Sequence, residues 1–176
     1  MTPIQVNKTG EESLFYIPIN YFELVGINNK KLAEEILNNQ KRISEDKNTL
    51  LYHDTVFDFN TGEESSKLLT AIQALAKQSG LQISKVWSQI HYPRESTDVH
   101  YHPTAHMAFV YYVCVPEGSG DLVFILENIW SKSIPPVESR LCIVPSWVRH
   151  KVSKNTGKEI RISIAGDLIQ TDFIGE

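Results

Sequence analysis

The spacing of hydrophobic residues divides the chain into a helical first part and a later part rich in strands. Two apolar stripes with helical spacing come first, and their members are Leu32, Ile36, Leu37 and Ile43, then Leu68, Leu69, Ile72, Leu75 and Ala76. Asn28 or Asn29 can cap the first helix. Thr61 and Glu64 have capping-box spacing before the second helix, and Gly80 stands where a helix-terminating glycine is common. We expect both helices to pack against a sheet.

From Leu81 onward the hydrophobic period is two residues, which is typical of half-buried strands. Five segments separated by turn-rich sequence predict strands, and they are 81–92, 106–116, 121–128, 139–147 and 159–169. The SKSIPPVE segment is expected to be a turn. Many short strands with helices at one end predict a mainly β (α+β) sandwich or barrel with flanking N-terminal helices. We expect one domain over residues 1–176, with a helical flank over about 1–80 and a barrel core over about 81–170.

The composition is that of a globular protein, with 41% hydrophobic and 22% charged residues. No apolar run approaches the roughly 20 residues of a membrane helix, and the N-terminal segment lacks the pattern of a secretory signal. We therefore expect a cytoplasmic protein that does not bind membranes. The formal net charge of −4 argues against a nucleic-acid-binding surface, which is usually basic.

The last predicted strand alternates strictly between two kinds of side chain. Isoleucines occupy one face, whereas Arg161, Ser163 and Ala165 occupy the other. An arginine on the inward face of a small barrel is costly to bury without an anionic partner. The pattern therefore indicates a bound carboxylate near Arg161.

The histidines are concentrated in the segment HYHPTAH, which holds three of the six. In an extended chain residues i and i+2 face the same side, so His100 and His102 can bind one ion. His150 comes late in the chain, just before a predicted strand. Two ligands early in a barrel and one late fit a facial three-ligand metal site. Asp98 or His106 remain alternatives to His102 as the second ligand.

Four other residues with ligand or nucleophile chemistry have no such context. His53 and His91 are expected to be structural. Cys114 and Cys142 lie in apolar, strand-like runs and lack C-x-x-C spacing. We expect them to be reduced thiols without a chemical role.

A resemblance to a known family covers about residues 84–168, and it is carried by WSQIHYPRESTDVHYHPTAHMAFVYYVCVPEGSGDLVF and by PSWVRHKVSKNTGKEIRISI. Both segments resemble the 2-oxoglutarate/Fe(II)-dependent oxygenases related to prolyl hydroxylases, most specifically in H-x-H-P, P-S-W-x-x-H-x-V and R-I-S-I. The resemblance implies a double-stranded β-helix, a jelly-roll or cupin-like barrel. It also implies a dioxygenase that uses Fe(II), 2-oxoglutarate and O₂ to hydroxylate a small-molecule or peptidyl substrate, with release of succinate and CO₂.

The resemblance also assigns the metal ligands. His100 is similar to the first ligand of the family's His-x-Asp pair, and His150 is similar to the distal ligand. His102 stands where most of the superfamily has Asp or Glu, whereas H-x-H is usual in the most similar subgroup. A third neutral imidazole would leave the Fe(II) site one unit more positive than the common ligand set.

The co-substrate contacts are implied in the same way. Arg161 resembles the basic residue that pairs with the C5 carboxylate of 2-oxoglutarate, and Ser163 resembles its hydroxyl partner. Tyr111 resembles the tyrosine that also reaches that carboxylate. Arginine suits this task because its planar fork can bind a carboxylate through two parallel hydrogen bonds.

Two other functions are compatible with the three histidines. One is a cupin-like three-histidine iron dioxygenase that binds its substrate directly on the metal, and the other is a non-catalytic barrel that binds a metal or ligand. Arg161 distinguishes the first of these from a 2-oxoglutarate enzyme, because the thiol dioxygenases that such cupins resemble do not use a cation at this position.

Overall fold

The computed structural model describes residues 5–14, 17–39, 41–42, 53–56, 62–126 and 130–171. The helices of this part are α1 (Asn29–Asn39) and α2 (Glu63–Lys77). The strands are β1 (Gln5–Leu14), β2 (Ile17–Val25), β3 (Lys41–Arg42), β4 (His53–Val56), β5 (Leu81–His91), β6 (Thr97–His100), β7 (Met107–Cys114), β8 (Leu122–Leu126), β9 (Trp130–Ile134), β10 (Arg140–Pro145), β11 (Arg149–Val152) and β12 (Arg161–Gln170). Neither helix is long and apolar enough to cross a membrane.

The strands form two antiparallel sheets that pack against each other. The larger sheet has the order β1-β2-β10-β7-β12-β5-β4-β3, and the smaller sheet has the order β6-β11-β8-β9. Strand β12 lies inside the larger sheet, between β7 and β5. The prediction of a mainly β fold with helices from the N-terminal part is confirmed.

The two faces of the larger sheet contact different layers. Its outer face packs against the helices in a core that includes Leu32, Ile36, Leu68, Ile72, Ile90, Tyr111, Ile162 and Ile164. Its inner face packs against the smaller sheet in a second core that includes Ile19, Tyr21, Ala108, Leu122, Phe124, Cys142 and Val144. Because both faces are covered, strands β7 and β10 are apolar on both sides.

The helix ends are stabilised in part by side chains from neighbouring elements. Asn28 caps α1, since its Oδ1 accepts a hydrogen bond of 3.1 Å from the backbone N–H of Lys31. The carboxylate of Glu35 on α1 accepts hydrogen bonds of 2.9 and 3.0 Å from the backbone N–H groups of Glu64 and Ser65. The first helix therefore caps the second. The expected capping residue Thr61 lies outside the described residues, as does Ile43 of the first stripe.

The chain contains more strands than the hydrophobic pattern predicts. The flank expected to be helical also contains β1 to β4. Strands β6 and β11 are four residues long, which is too short for a period of two to stand out. Strand β9 is a mostly exposed edge strand in the segment that was expected to be a turn. Strand β2 does alternate, with Ile17, Ile19 and Tyr21 buried, whereas the short strands β6, β9 and β11 are defined by their partners rather than by their own hydrophobicity.

Gly166 allows close packing at the middle of β12. A side chain at this position would collide with the ring of Phe109 and with the backbone carbonyl of Lys85. Glycine therefore permits β7 and β5 to lie tightly on either side of β12. This packing keeps the inner face of β12 in a fixed position relative to its neighbours.

Candidate active site

The structure brings three of the predicted histidines together between the two sheets. His100 ends β6, His102 lies in the turn that follows, and His150 lies opposite His100 on β11. One ligand atom from each residue lies within 4.8 Å of the other two. The Nε2 atoms of His102 and His150 are 3.4 Å apart. Among the described residues, this is the one cluster of three or more side chains that could hold a metal ion.

Contacts at the opposite ring nitrogens orient these imidazoles. Nδ1 of His100 lies 2.8 Å from the backbone oxygen of Asp98, and Nδ1 of His150 lies 2.8 Å from that of Val148. A carbonyl oxygen only accepts, so each Nδ1 carries the proton and each Nε2 is left with a lone pair. Nδ1 of His102 lies 2.7 Å from Oδ1 of Asp167. Hydrogen bonds at Nδ1 therefore hold the rings of His100 and His150, whereas His102 has an ion-pair contact with Asp167 Oδ1, which has no hydrogen-bond partner.

Burial favours the neutral imidazole, the form that binds metals, at two of the three histidines. It lowers the pKa of His150 to about 3, and the neighbouring His100 contributes to this effect. Burial also lowers the pKa of His100. Three imidazoles that converge in this way form a set of ligands for a transition-metal cation.

The two alternative ligands do not join the cluster. The Asp98 side chain is exposed, and only its backbone oxygen contacts His100. His106 is exposed too, and its Nδ1 accepts the backbone N–H of Gln170 at 3.2 Å. Of the three candidates for the second position, the structure therefore places His102 in the cluster.

Aromatic rings cover the cluster on two sides. The Trp87 ring stacks on His102, with the ring centres 5.7 Å apart and the planes at 22°. Phe124 lies 6.0 Å from His150 between ring centres. These contacts fix the imidazole planes and shield them from water.

A single pocket joins the three histidines to Arg161. The cavity has a volume of about 40 Å³. Between the polar ends the lining is mainly apolar, and it includes Trp87, Ala108, Val110, Leu122, Val144 and Val152. A pocket with few polar groups at defined positions is typical of small-molecule sites.

Arg161 is a buried cation without a counter-ion in the described part of the chain. Its side chain is 1% exposed, and no described carboxylate lies within ion-pair distance of it. Nη1 contacts Ser163 Oγ at 3.0 Å and His91 Nδ1 at 3.1 Å, whereas Nε has no hydrogen-bond partner. Burial lowers the pKa of the guanidinium. Because the guanidinium is buried without a counter-ion, a bound anion would offset the cost of its burial.

His91 holds Arg161 in position, a role that its sequence context did not indicate. Arginine can only donate, so Nδ1 of His91 accepts. The proton therefore lies on Nε2, which is 2.8 Å from Thr97 Oγ1. His91 shares the inner face of β5 with Trp87 and Gln89, because side chains alternate along a strand. The alternation of side chains along β5 was the sequence signal that could have placed His91 on the inner face.

The expectation for Tyr111 is corrected by the strand register. Tyr111 lies opposite Ile164, on the helix side of the larger sheet, and its hydroxyl donates to Asn29 Oδ1 at 2.8 Å. Tyr112 lies opposite Ser163, and the Arg161 guanidinium is 5.4 Å from the centre of its ring. The buried hydroxyl of Tyr112 has no hydrogen-bond partner. Tyr112, rather than Tyr111, is the tyrosine beside Arg161.

Comparison with known proteins identifies the fold. No protein-family model and no curated protein sequence matches the chain. The non-heme α-ketoglutarate-dependent carbocyclase SnoK from nogalamycin biosynthesis superposes with a TM-score of 0.69 at 11% identity, covering 88% of this chain and 80% of that one. A prolyl hydroxylase from Trichoplax adhaerens, in complex with a peptide fragment of the hypoxia inducible factor, superposes at 0.62 and 14% identity, covering 82% and 78%. The epimerase SnoN, in complex with Fe³⁺, α-ketoglutarate and nogalamycin RO, superposes at 0.60 and 17% identity, covering 80% and 73%.

The chain has the double-stranded β-helix fold of the 2-oxoglutarate/Fe(II) oxygenases. Two observations test whether its residues fit an iron ion and 2-oxoglutarate. Imidazole nitrogen is a suitable ligand for iron, and three such nitrogens converge here. In the same pocket Arg161 has an unpartnered Nε, and the unpartnered hydroxyl of Tyr112 belongs to the ring beside its guanidinium. Both are donors that a buried carboxylate would need. The residues of this site therefore fit both an iron ion and 2-oxoglutarate.

Proposed function

We propose that the protein is a 2-oxoglutarate- and Fe(II)-dependent dioxygenase that hydroxylates a substrate and releases succinate and CO₂. One observation carries the proposal: the three converging imidazoles and the unpaired cation Arg161 line the same pocket. A metal site alone would not need a buried guanidinium, and an anion site alone would not need three converging imidazoles. Together they match the two ends of a dicarboxylate that chelates a metal.

His100, His102 and His150 would hold the iron. Bound Fe(II) would supply O₂ activation coupled to the oxidative decarboxylation of 2-oxoglutarate. The chain's own contribution at this end is to orient the three imidazoles through their Nδ1 contacts. Trp87 and Phe124 restrict the rings further.

At the other end, Arg161 would bind the C5 carboxylate of 2-oxoglutarate. Its free Nε can donate to one carboxylate oxygen, and the hydroxyls of Tyr112 and Ser163 lie beside the guanidinium. The ion pair would neutralise a cation that is otherwise buried alone. His91 would keep the guanidinium plane in the required orientation.

The apolar lining between the two ends would exclude water from the reacting atoms. It includes Ala108, Val110 and Leu122, which offer no hydrogen bonds to solvent from their side chains. Exclusion of water strengthens the electrostatic interactions within the pocket and suppresses side reactions. The substrate would enter at the open mouth near the histidines. One structural neighbour is in complex with a peptide and another with a small molecule, so we propose a substrate of one of these classes.

The three-histidine ligand set also supports a second candidate, a cupin-like iron dioxygenase that binds its substrate directly on the metal. The observation in its favour is that the second ligand is His102 rather than a carboxylate. The position of Arg161 argues against it, because such a mechanism gives a buried cation in the metal pocket no anionic partner.

Binding measurements with matched variants test the proposal. Under anaerobic conditions we expect the wild type and His106→Ala to bind one Fe(II) per chain. In His150→Ala the Fe(II) affinity should fall more than about 100-fold, which is more than the loss of a group that only hydrogen-bonds to a metal ligand. The Fe(II)-loaded wild type should then bind 2-oxoglutarate and, on exposure to O₂, release succinate. Equal Fe(II) binding by wild type and His150→Ala contradicts the metal site. Metal binding without affinity for 2-oxoglutarate favours the second candidate.

A further inference from the structure

The three imidazoles leave the proposed iron site without the negative charge that a ligating carboxylate brings. Asp167 provides a buried carboxylate next to the imidazole that stands in that place. We propose that Asp167 is a positioning residue, which supplies the missing charge through His102 and sets the donor strength of its Nε2 atom. The proposal rests on the proposed function, since it requires a metal at the three histidines.

Asp167 lies on the same strand face as Arg161 but at the other end of β12. The inner face of β12 carries Arg161, Ser163, Ala165 and Asp167 in alternation. The pairing of β12 with β5 shifts directly after Asp167, between Asp167 and Leu168. Such bulges often re-aim a side chain next to a functional site. The result is a carboxylate that is 8% exposed, with Oδ1 2.7 Å from His102 Nδ1.

His102 differs from the other two histidines in the partner of its Nδ1 atom. His100 and His150 each contact a neutral backbone carbonyl, at 2.8 Å in both cases. Only His102 contacts a charged group. At 2.7 Å the contact with Asp167 is an ion-pair contact without hydrogen-bond alignment, since Oδ1 of Asp167 has no hydrogen-bond partner. The negative charge so close to Nδ1 increases the electron density at Nε2 and the basicity of the ligand.

Among the described residues, only His102 lies close enough to Asp167 to offset its negative charge. Within the described part of the chain, no lysine or arginine lies within ion-pair distance of the carboxylate. A buried carboxylate without a cation is costly. A divalent ion on the far side of the His102 ring would offset that cost. The stack of Trp87 on His102 keeps the ring plane fixed, so that both ring nitrogens stay aligned.

The direct test is the affinity for Fe(II), and for Co(II) as a spectroscopic substitute, in Asp167→Asn. The amide keeps the size of the side chain and removes its charge. We expect affinity to fall about 10- to 100-fold, the range for lost outer-shell partners of metal ligands, and the ligand-field spectrum of bound Co(II) to shift. Glu117→Gln is the control, because it removes a carboxylate charge from an exposed side chain that does not line the pocket. It should bind both metals like the wild type.

A second background separates the charge from simple packing. His102→Asp places a carboxylate directly in the ligand set and removes the imidazole through which Asp167 would act. In this background Asp167→Asn should change Co(II) affinity much less than it does in the wild type. A side chain that only fills space would weaken binding equally in both backgrounds. Thermal unfolding of each metal-free variant checks folding, and Asp167→Ser replaces Asp167→Asn if the amide does not fold.

The outcomes separate this inference from the proposed function. If the folded wild type binds neither Fe(II) nor Co(II), the proposed function fails. If it binds them and Asp167→Asn does so within twofold and with the same Co(II) spectrum, the role of Asp167 is overturned and the metal site stands. A loss of equal size in both backgrounds also overturns it, in favour of packing.

Discussion

Two adjacent tyrosines on β7 show how the two sides of the larger sheet differ. Tyr111 faces the helices, and its hydroxyl donates to Asn29 Oδ1, while the amide of Asn29 donates to Ser139 Oγ at 2.9 Å. Tyr112 lies beside Arg161 on the inner side, and its buried hydroxyl has no partner. Buried polar groups in folded proteins are almost always paired. The paired hydroxyl therefore serves the fold, and the unpaired hydroxyl next to a buried cation indicates a ligand.

The strongest test of this contrast is Arg161→Ala. Losing a charge-assisted pair with the C5 carboxylate should cost about 2–5 kcal/mol, by analogy with buried charge pairs at interfaces. That corresponds to a loss of roughly 30-fold or more in 2-oxoglutarate affinity, measured anaerobically with Fe(II) bound. Metal affinity should not change, because Arg161 is not a ligand.

Arg140→Ala is a suitable control for this measurement. The Arg140 guanidinium lies over the Tyr21 ring at 5.2 Å, outside the residues that line the pocket. The variant should bind 2-oxoglutarate like the wild type. If Arg161→Ala also does so, the inner side of the sheet does not bind this co-substrate, and the three-histidine dioxygenase becomes the better assignment.

The next effect in size is expected from the tyrosines themselves. Tyr112→Phe should weaken 2-oxoglutarate binding by about 1.5–3 kcal/mol, the range for a hydrogen bond to a charged group. It should leave the ligand-free protein as stable as before or slightly more stable, because an unpaired buried hydroxyl is removed. Calorimetric titration and thermal unfolding measure the two quantities.

Tyr111→Phe should behave in the opposite way. It removes a hydrogen bond that is satisfied in the ligand-free protein, so stability should fall by about 0.5–1.5 kcal/mol while 2-oxoglutarate affinity stays unchanged. The same pattern of losses in both variants would mean that the two tyrosines do not divide between fold and ligand.

A smaller effect is expected from His91→Leu. The change removes the acceptor that holds Arg161 Nη1 but leaves the guanidinium in the pocket. A neutral hydrogen bond contributes about 0.5–1.5 kcal/mol, so 2-oxoglutarate affinity should fall up to about tenfold. His91→Gln, which keeps an acceptor, should recover part of the loss. No recovery and no loss in either variant would argue that Arg161 does not need His91.

The two cysteines are expected to be unreactive thiols in the folded protein. Burial raises the pKa of Cys142 to about 12 and also raises that of the half-buried Cys114. Because the thiolate is the reactive form, labelling of the native protein should be slow, slowest at Cys142, and should speed up on unfolding. Rapid labelling of Cys142 in the folded protein would contradict its place in the core between the sheets.

The sequence indicated the parts of the site whose signal is local. The i, i+2 spacing of His100 and His102 and the alternation of Arg161 with isoleucines both follow from strand geometry. The structure brings these residues together, and it places Arg161 and Ser163 on the predicted inward face. The strands with regular alternation, such as β5 and β12, were also predicted within a few residues.

The parts that sequence could not provide depend on pairing between distant strands. On β7 both faces are apolar, since Phe109 and Tyr111 pack towards the helices while Ala108 and Val110 pack inward. Hydrophobicity therefore cannot tell which tyrosine points into the pocket. The register with β12 decides it, and this register shifts between Ile162 and Ser163. Asp167 is similarly one of 21 acidic residues until folding brings it to His102.

The unpaired guanidinium of Arg161 has a consequence for the evolution of the protein. Replacing buried charges with apolar side chains of similar volume is often neutral or stabilising, so Arg161→Met would make the ligand-free chain easier to fold. Selection for stability alone would thus remove this arginine. Its presence in the interior marks a site where stability has been exchanged for activity, the trade-off that active sites commonly make.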